Sequence, residues 1–254
     1  DDPKYLTFRE LRDLRADPDQ MGFVDVRRMR LAEALADRDV GRRFGAELGE
    51  SGRLILRGHG GRRYEVLADS AIAPEPGAYY LAREDGPVRV RRFEPGESGD
   101  HRIYTDTAQE AWIRLGDGGG GDAFTPAAGE PALRMTLQLV DVRTETPGGV
   151  PTERPQRDFR DLRLVNDPLA THAGRTSGEL LASAGALQEA GASTPSIDTA
   201  AEQLVERIAQ LQREITSKQQ ERLAMAASCF VMVVLGAITA LRNRDSLPLV
   251  VYLW

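Results

Sequence analysis

Few side chains in this chain could do covalent chemistry, and no motif places them to do it. The one thiol, Cys229, lies inside an apolar run and has no second cysteine for a disulfide or a Cys-based zinc site. His59, His101 and His172 are far apart and lack a metal-ligating neighbour at i+4, so they read as surface or loop histidines. The run "GDGGGGD" at Gly116–Asp122 has the glycines of a phosphate-cradling loop. It lacks the Lys-Ser/Thr and the strong helix that complete one, and reads as a flexible hairpin connection. No G-x-S-x-G elbow, H-E-x-x-H pair or Cys–His pattern occurs. The missing motifs speak against an enzyme, and no metal or cofactor is expected.

Composition bounds what the chain can meet. The 254 residues suffice for one large domain or two smaller ones. Charged residues make up 28% and the formal net charge is −6, which speaks against a nucleic-acid binder with its basic face. Apolar residues make up 41% and aromatics 6%, so any large apolar patch stands out against a polar background.

The elements that must carry such a patch can be read from periodicity. Residues 1–50 read as helical. "TFREL" offers Thr7 as an N-cap with Glu10 at N3, a capping box, and Pro18 ends that helix. A second helix follows over "VDVRRMRLAEALADRD", with Val26, Met29, Ala32 and Leu35 at three-residue steps and its arginines on a solvated face. Residues 51–145 change to short runs rich in Val, Ile, Leu, Tyr and Thr: "GRLILRG", "RRYEVLADSAIA", "PVRVRRFEP", "HRIYTDTAQEAWIRL" and "PALRMTLQLVDVRTE". Gly, Pro and Asp clusters separate them, as in an antiparallel sandwich or roll. In the last run Leu133, Met135, Leu137 and Leu139 share one face. Residues 146–196 read as a linker holding one short helix, opened by a Thr176–Glu179 box and stopped at Gly191. From Ser196 or Asp198, as cap, an amphipathic helix runs over 197–221. Its seam is Ala201, Leu204, Ile208, Leu211 and Ile215.

That helix has no break before Leu235 and enters a charge-free stretch, Leu223 to Leu241. The length suits a span of a ~30 Å hydrocarbon layer. Arg242 and Arg244 follow at once and place the short "RNRDS" loop in the cytoplasm by the positive-inside rule. Residues 1–221 then lie on the outer side, the periplasm of a Gram-negative cell. "LPLVVYLW" at 247–254 reads as the start of a return span, so the chain is expected to be a piece of a multi-pass protein. The fold class that emerges is α+β: an antiparallel β-jellyroll or sandwich with flanking helices, then a long helix running into a transmembrane hairpin.

The order of these parts resembles a known family. A β domain, a "T-x-x-E-L" helix box closed by glycine, and then "QQERLAMAASCFVMVVLGAITALRNRDSLPLVVYLW" look like the YjgP/YjgQ family of lipopolysaccharide-export permeases. Glu221, Arg222 and Leu223 to Leu241 match that family's fourth span, Arg242 to Ser246 its cytoplasmic loop, and Leu247 to Trp254 the start of its fifth span. The likeness is closest over 176–254, architectural over 51–145, and absent over 1–50.

The resemblance implies a permease subunit of an ABC exporter in the inner membrane. Its partners would be a second permease subunit of the same family, a cytoplasmic ATPase, a periplasmic β-jellyroll protein and the lipid substrate. Lipopolysaccharide, or a related lipid, would pass from the membrane into the jellyroll, whose inner face would be lined by Leu54, Leu56, Tyr64, Val66, Trp112, Leu137 and Leu139. The same residues could equally fill a dry core. The alternative is a membrane-anchored sensor or scaffold, with an extracytoplasmic β domain and a helix that dimerises along its seam.

Overall fold

The computed structural model describes residues 6–96, 99–116 and 132–242. Most of the Gly-rich run after Gly116, Arg244 and the expected return span at 247–254 lie outside them. The chain divides into two compact units, residues 27–202 and residues 1–26 with 203–254.

The larger unit is built on eight strands: β1 (Arg53–Arg57), β2 (Arg63–Leu67), β3 (Ser70–Glu75), β4 (Ala78–Ala82), β5 (Val88–Gly96), β6 (Gly99–Leu115), β7 (Met135–Glu145) and β8 (Thr152–Leu164). All belong to one antiparallel sheet, in the order β3-β4-β6-β5-β2-β1-β8-β7. β6 is long enough to pair with β5 along its first half and β4 along its second, while its other edge takes β7. That last pairing closes six strands into a ring, β1-β2-β5-β6-β7-β8. Closure removes the exposed edges an open sheet would carry. The seam of the ring is short: β1 meets β8 only at Leu56↔Leu164 and Arg57↔Arg163.

Alternation decides which residues face the interior. Leu54 and Leu56 on β1 lie opposite Val66 and Tyr64 on β2, and all four are buried. On β7, Met135, Leu137 and Leu139 are buried, as their spacing predicts. The alternation then slips by one residue. β6 buries Tyr104, Asp106 and Ala108, then Ala111 and Ile113; β7 buries Leu139, then Val142. The slip sits at Asp141, whose φ of 52° is left-handed, a state Asp tolerates better than most residues. Asp161, at φ 56°, does the same on β8 between Phe159 and Leu162, where the β7–β8 register also shifts.

Two strands differ from the sequence reading. Residues 152–164, read within a linker, form β8. The strand is mostly exposed, so only Phe159, Leu162 and Leu164 carry an apolar signal. β4 is only five residues long and sits between turn residues; its inward side chains are Tyr79 and Leu81.

Helix α1 (Phe8–Ala16) begins with the Thr7–Glu10 capping box and stops before Pro18, as the sequence predicts. Helix α2 (Gly22–Ser51) extends well past the predicted segment. Its buried stripe is Leu31, Leu35, Val40, Phe44 and Leu48, at steps close to four. Val26, placed on the buried face by three-residue steps, is exposed, because a strict three-residue period drifts off a 3.6-residue helix. Nor are the α2 arginines all solvated. Arg28 donates to the carbonyls of Ala173 and Arg175 (2.6 and 2.9 Å), Arg38 to that of Ala192 (3.0 Å) and Arg43 to that of Asn166 (2.9 Å). Each satisfies a carbonyl in a connecting segment that has no ladder to do so. These segments flank α3 (Pro168–Ala173) and α4 (Ser177–Glu189), the latter opened by the Thr176–Glu179 box and followed by Gly191 at φ 63°.

Helix α5 (Pro195–Arg242) is continuous over 48 residues. Proline occupies its first position, so Ser196 and Asp198 lie inside the first turn and are not its cap. In the smaller unit Leu11, Leu14, Met21, Val24, Leu204, Leu211 and Ile215 are all buried. Leu204, Leu211 and Ile215 of the helical seam are therefore covered within one chain, while Ala201 and Ile208 are partly buried. Arg207 places its guanidinium 4.1 Å from the centre of the Phe23 ring in the same unit.

Candidate functional site

Three features of the described residues could carry function: the ring interior, a charged cluster on β6–β8, and the apolar part of α5. The ring interior is one continuous apolar cluster drawn from every strand of the ring and from β4. Leu54, Leu56, Tyr64, Val66, Leu137 and Leu139 all belong to it. So do Val40, Phe44 and Leu48 of α2. The sequence named no residue of α2 for this site, although the i, i+4, i+8 spacing of those three marks a helix face. The interior is thus filled by side chains from the sheet and the helix together.

Trp112 is not in it. The slip in alternation between Ala108 and Ala111 turns Ala111 and Ile113 inward and Trp112 outward. There its ring packs against Tyr80 across β4–β6, centroids 5.0 Å apart, with the Arg114 guanidinium 5.9 Å away. Reading β6 at a fixed period of two from Tyr104 gives the wrong face.

Asp106 is the polar exception among the inward residues, fully buried between Tyr104 and Ala108. Its Oδ1 accepts from Thr144 Oγ1 (2.5 Å) and from Arg157 Nη1 (2.8 Å), while Oδ2 has no partner among the described residues. Burial pushes its carboxyl above the ordinary range, and Thr144 and Arg157 offset part of that rise. The Arg157 guanidinium lies 4.3 Å from the Tyr104 ring centre and 5.0 Å from that of Phe159. Arg92 stands 5.0 Å from the Tyr104 ring centre, donates to the Tyr104 hydroxyl, and pairs with Glu94 at 2.6 Å. The cluster is a charge-compensated array with one carboxylate oxygen left over. The sequence signal for Asp106 was its place in "YTDTA", on the same alternating face as Tyr104.

His172 is buried on α3, not in a surface loop. Its Nε2 lies 3.0 Å from Asp39 Oδ2 on α2, and its Nδ1 has no partner among the described residues. The pair ties α3 to α2.

The apolar part of α5 is the largest exposed apolar surface described. Leu223, Met225, Phe230, Val231, Met232, Val233, Leu235, Ile238 and Leu241 are all exposed, as is Cys229. α5 is the one described helix long and apolar enough, by length and composition, to cross a membrane, and none of its most apolar window is buried. Apolar surface of this extent on one helix marks a membrane or protein contact.

Comparison of the chain with protein-family models, with curated proteins and with solved structures finds no match.

Proposed function

We propose that this chain belongs to a permease subunit of an ABC exporter that takes lipopolysaccharide, or a related lipid, from the inner membrane and passes it to an extracytoplasmic β domain. The observation that carries the reading is the joining, in one chain, of an apolar-lined β unit to a helix whose segment 223–241 is charge-free and wholly exposed. In this reading the sheet is the counterpart of the family's β-jellyroll. In this reading residues 1–221 are periplasmic and Arg242 marks the cytoplasmic end of the span. A second permease subunit, a cytoplasmic ATPase and a periplasmic β-jellyroll protein complete the exporter.

Physical chemistry sets the demand on the β unit. Each acyl CH₂ left in water costs about 0.8 kcal/mol, so a carrier must offer continuous apolar lining. The interior cluster has that character, with Val40, Phe44 and Leu48 of α2 occupying part of it. Acyl chains would enter by displacing those three side chains.

The sensor or scaffold reading needs the 204–215 seam free to meet a second chain. Leu204, Leu211 and Ile215 are buried within one chain, which favours the permease. The test is a photo-crosslinking residue at Leu137 or Val66 of the membrane-embedded protein in cells. Lipid adducts are expected. Their absence, with adducts formed in parallel by an established family member, overturns the lipid-carrier reading.

A further inference from the structure

Arg57 and Arg163 are directly opposed across the β1–β8 seam. Their neighbours Leu56 and Leu164 point inward, so both arginines lie on the outer face, and both are exposed. Like charges placed opposite each other on paired strands oppose the pairing. Arg57 also faces Arg63 across β1–β2, whereas several other arginines of the unit are paired with acids. Arg53 and Arg91 share Glu65, Arg62 and Arg92 share Glu94, and Arg114 pairs with Glu75. Neither Arg57 nor Arg163 has a hydrogen-bond or ion-pair partner for its side chain among the described residues. The chain is acidic overall, with 39 carboxylate side chains against 33 basic ones, so a shortage of acids is not the reason.

The two arginines also share a cavity of about 420 Å³, lined by Arg57, Gly58, His59, Arg134, Asp161 and Arg163. Three guanidiniums face one carboxylate there, a balance of +2 with His59 neutral. Asp161 is engaged by Arg134 at 3.4 Å, which leaves the other two forks unopposed. Gly58, between Arg57 and His59 in this lining, packs its backbone against the core: a Cβ there would come within 2.8 Å of Tyr64 Cε2.

We propose that this cavity is a binding site for a doubly charged oxyanion, a phosphate monoester or its equivalent, clamped between Arg57 and Arg163. Guanidinium forks match the geometry of phosphate oxygens two at a time, and a dianion between them turns the opposed pair from repulsive to cohesive. The site stands apart from the ring interior and does not depend on the permease reading. The phosphate could be that of a small soluble molecule or of a lipid headgroup, and the two are separable by experiment.

The full chain in dodecyl maltoside is titrated with inorganic phosphate and, separately, with micelles doped with a short-chain phosphatidic acid, at fixed ionic strength. Binding is followed by ³¹P NMR, and thermal stability is recorded with and without phosphate. Saturable binding is expected, weakened at least tenfold in Arg57→Gln and in Arg163→Gln. In phosphate-free buffer both variants should melt higher than the parent, because the opposed charges are relieved, and both should lose the stabilisation that phosphate gives the parent. Tight arginine-dependent binding of phosphatidic acid alone identifies a lipid headgroup; equal binding of both probes identifies a soluble phosphate. Binding that the Arg57→Gln/Arg163→Gln double variant retains in full, or no binding of either probe, overturns the proposal.

Discussion

The ring of Phe44 on α2 meets the ring of Tyr79 on β4 nearly edge-on, with centroids 5.1 Å apart and planes inclined by 73°. The contact joins the helix to the interior of the sheet, and both residues are buried. An aromatic pair of this geometry adds to the apolar area it buries. Phe44→Ala should therefore destabilise the larger unit by about 3–5 kcal/mol. Val26→Ala, on the exposed side of the same helix, should change stability by less than about 0.5 kcal/mol. Denaturant unfolding of both variants checks the contrast, and equal losses would place α2 differently.

Tyr79 also anchors α2 through its hydroxyl, which donates toward the Asp37 carbonyl (2.7 Å) and Oδ1 (2.6 Å). Burial, and then the Asp37 contact, push the phenol far above its ordinary pKa. With the folded value raised, its contribution to stability is complete below the unfolded pKa of about 10 and is lost as pH rises past it. Tyrosinate absorbance of the folded protein up to about pH 11 should thus be the same for the parent and Tyr79→Phe. A smaller amplitude in the variant would mean that Tyr79 titrates normally.

The slip at Asp141 makes opposite predictions for two residues read from the sequence as equals. Leu137→Ala removes a fully buried side chain and should cost about 2–5 kcal/mol. Trp112→Ala removes a partly buried ring that touches Tyr80 on the outer face, and should cost about 1 kcal/mol. Urea midpoints measured side by side distinguish them. If the tryptophan change proves the larger, the outward placement is wrong.

Asp106 gives the larger unit a pH signature. Its carboxyl sits above the ordinary value, so proton uptake favours the folded state. The associated stability is full below the unfolded pKa of about 3.9 and is lost as pH rises through the folded one. Relative to Asp106→Asn, which does not titrate, the parent should gain stability between pH 7 and pH 4. Unfolding at both pH values tests this, and parallel behaviour of the two proteins would argue against a raised carboxyl.

Cys229 reports on the environment of α5, because it is the only thiol in the chain and lies on the exposed apolar face. In sealed membranes a charged maleimide should leave it unlabelled, and detergent should not be enough to hide a cysteine introduced at Gln220. Rapid labelling of Cys229 in intact vesicles would remove the span.

Legibility in the sequence followed the strength of the local signal. Both capping boxes, the stop before Pro18 and the unbroken α5 were readable, because each rests on residues within one turn of the element they bound. Met135, Leu137 and Leu139 were readable because they precede the slip. Trp112 was misassigned because a left-handed residue on a neighbouring strand changes its face, and nothing near Trp112 announces this. β8 was invisible for a different reason. Ten of its thirteen residues are not buried, so its membership is decided by backbone pairing with β7 and not by side-chain burial. The partners of Arg28, Arg38 and Arg43 are carbonyls more than a hundred residues away, and a carbonyl has no sequence signature.

The short β1–β8 seam has a consequence in time. It joins segments about a hundred residues apart through two register pairs, and contacts so distant in the chain form late and are held by few bonds. The broad β6–β7 and β7–β8 ladders are local by comparison. Amides at the seam should accordingly exchange with deuterium well before those of β6 and β7, and the cylinder should part along this one line while the rest of its wall stays intact. Because the opposed arginines straddle that line, an anion bound between them would set how long the wall stays shut.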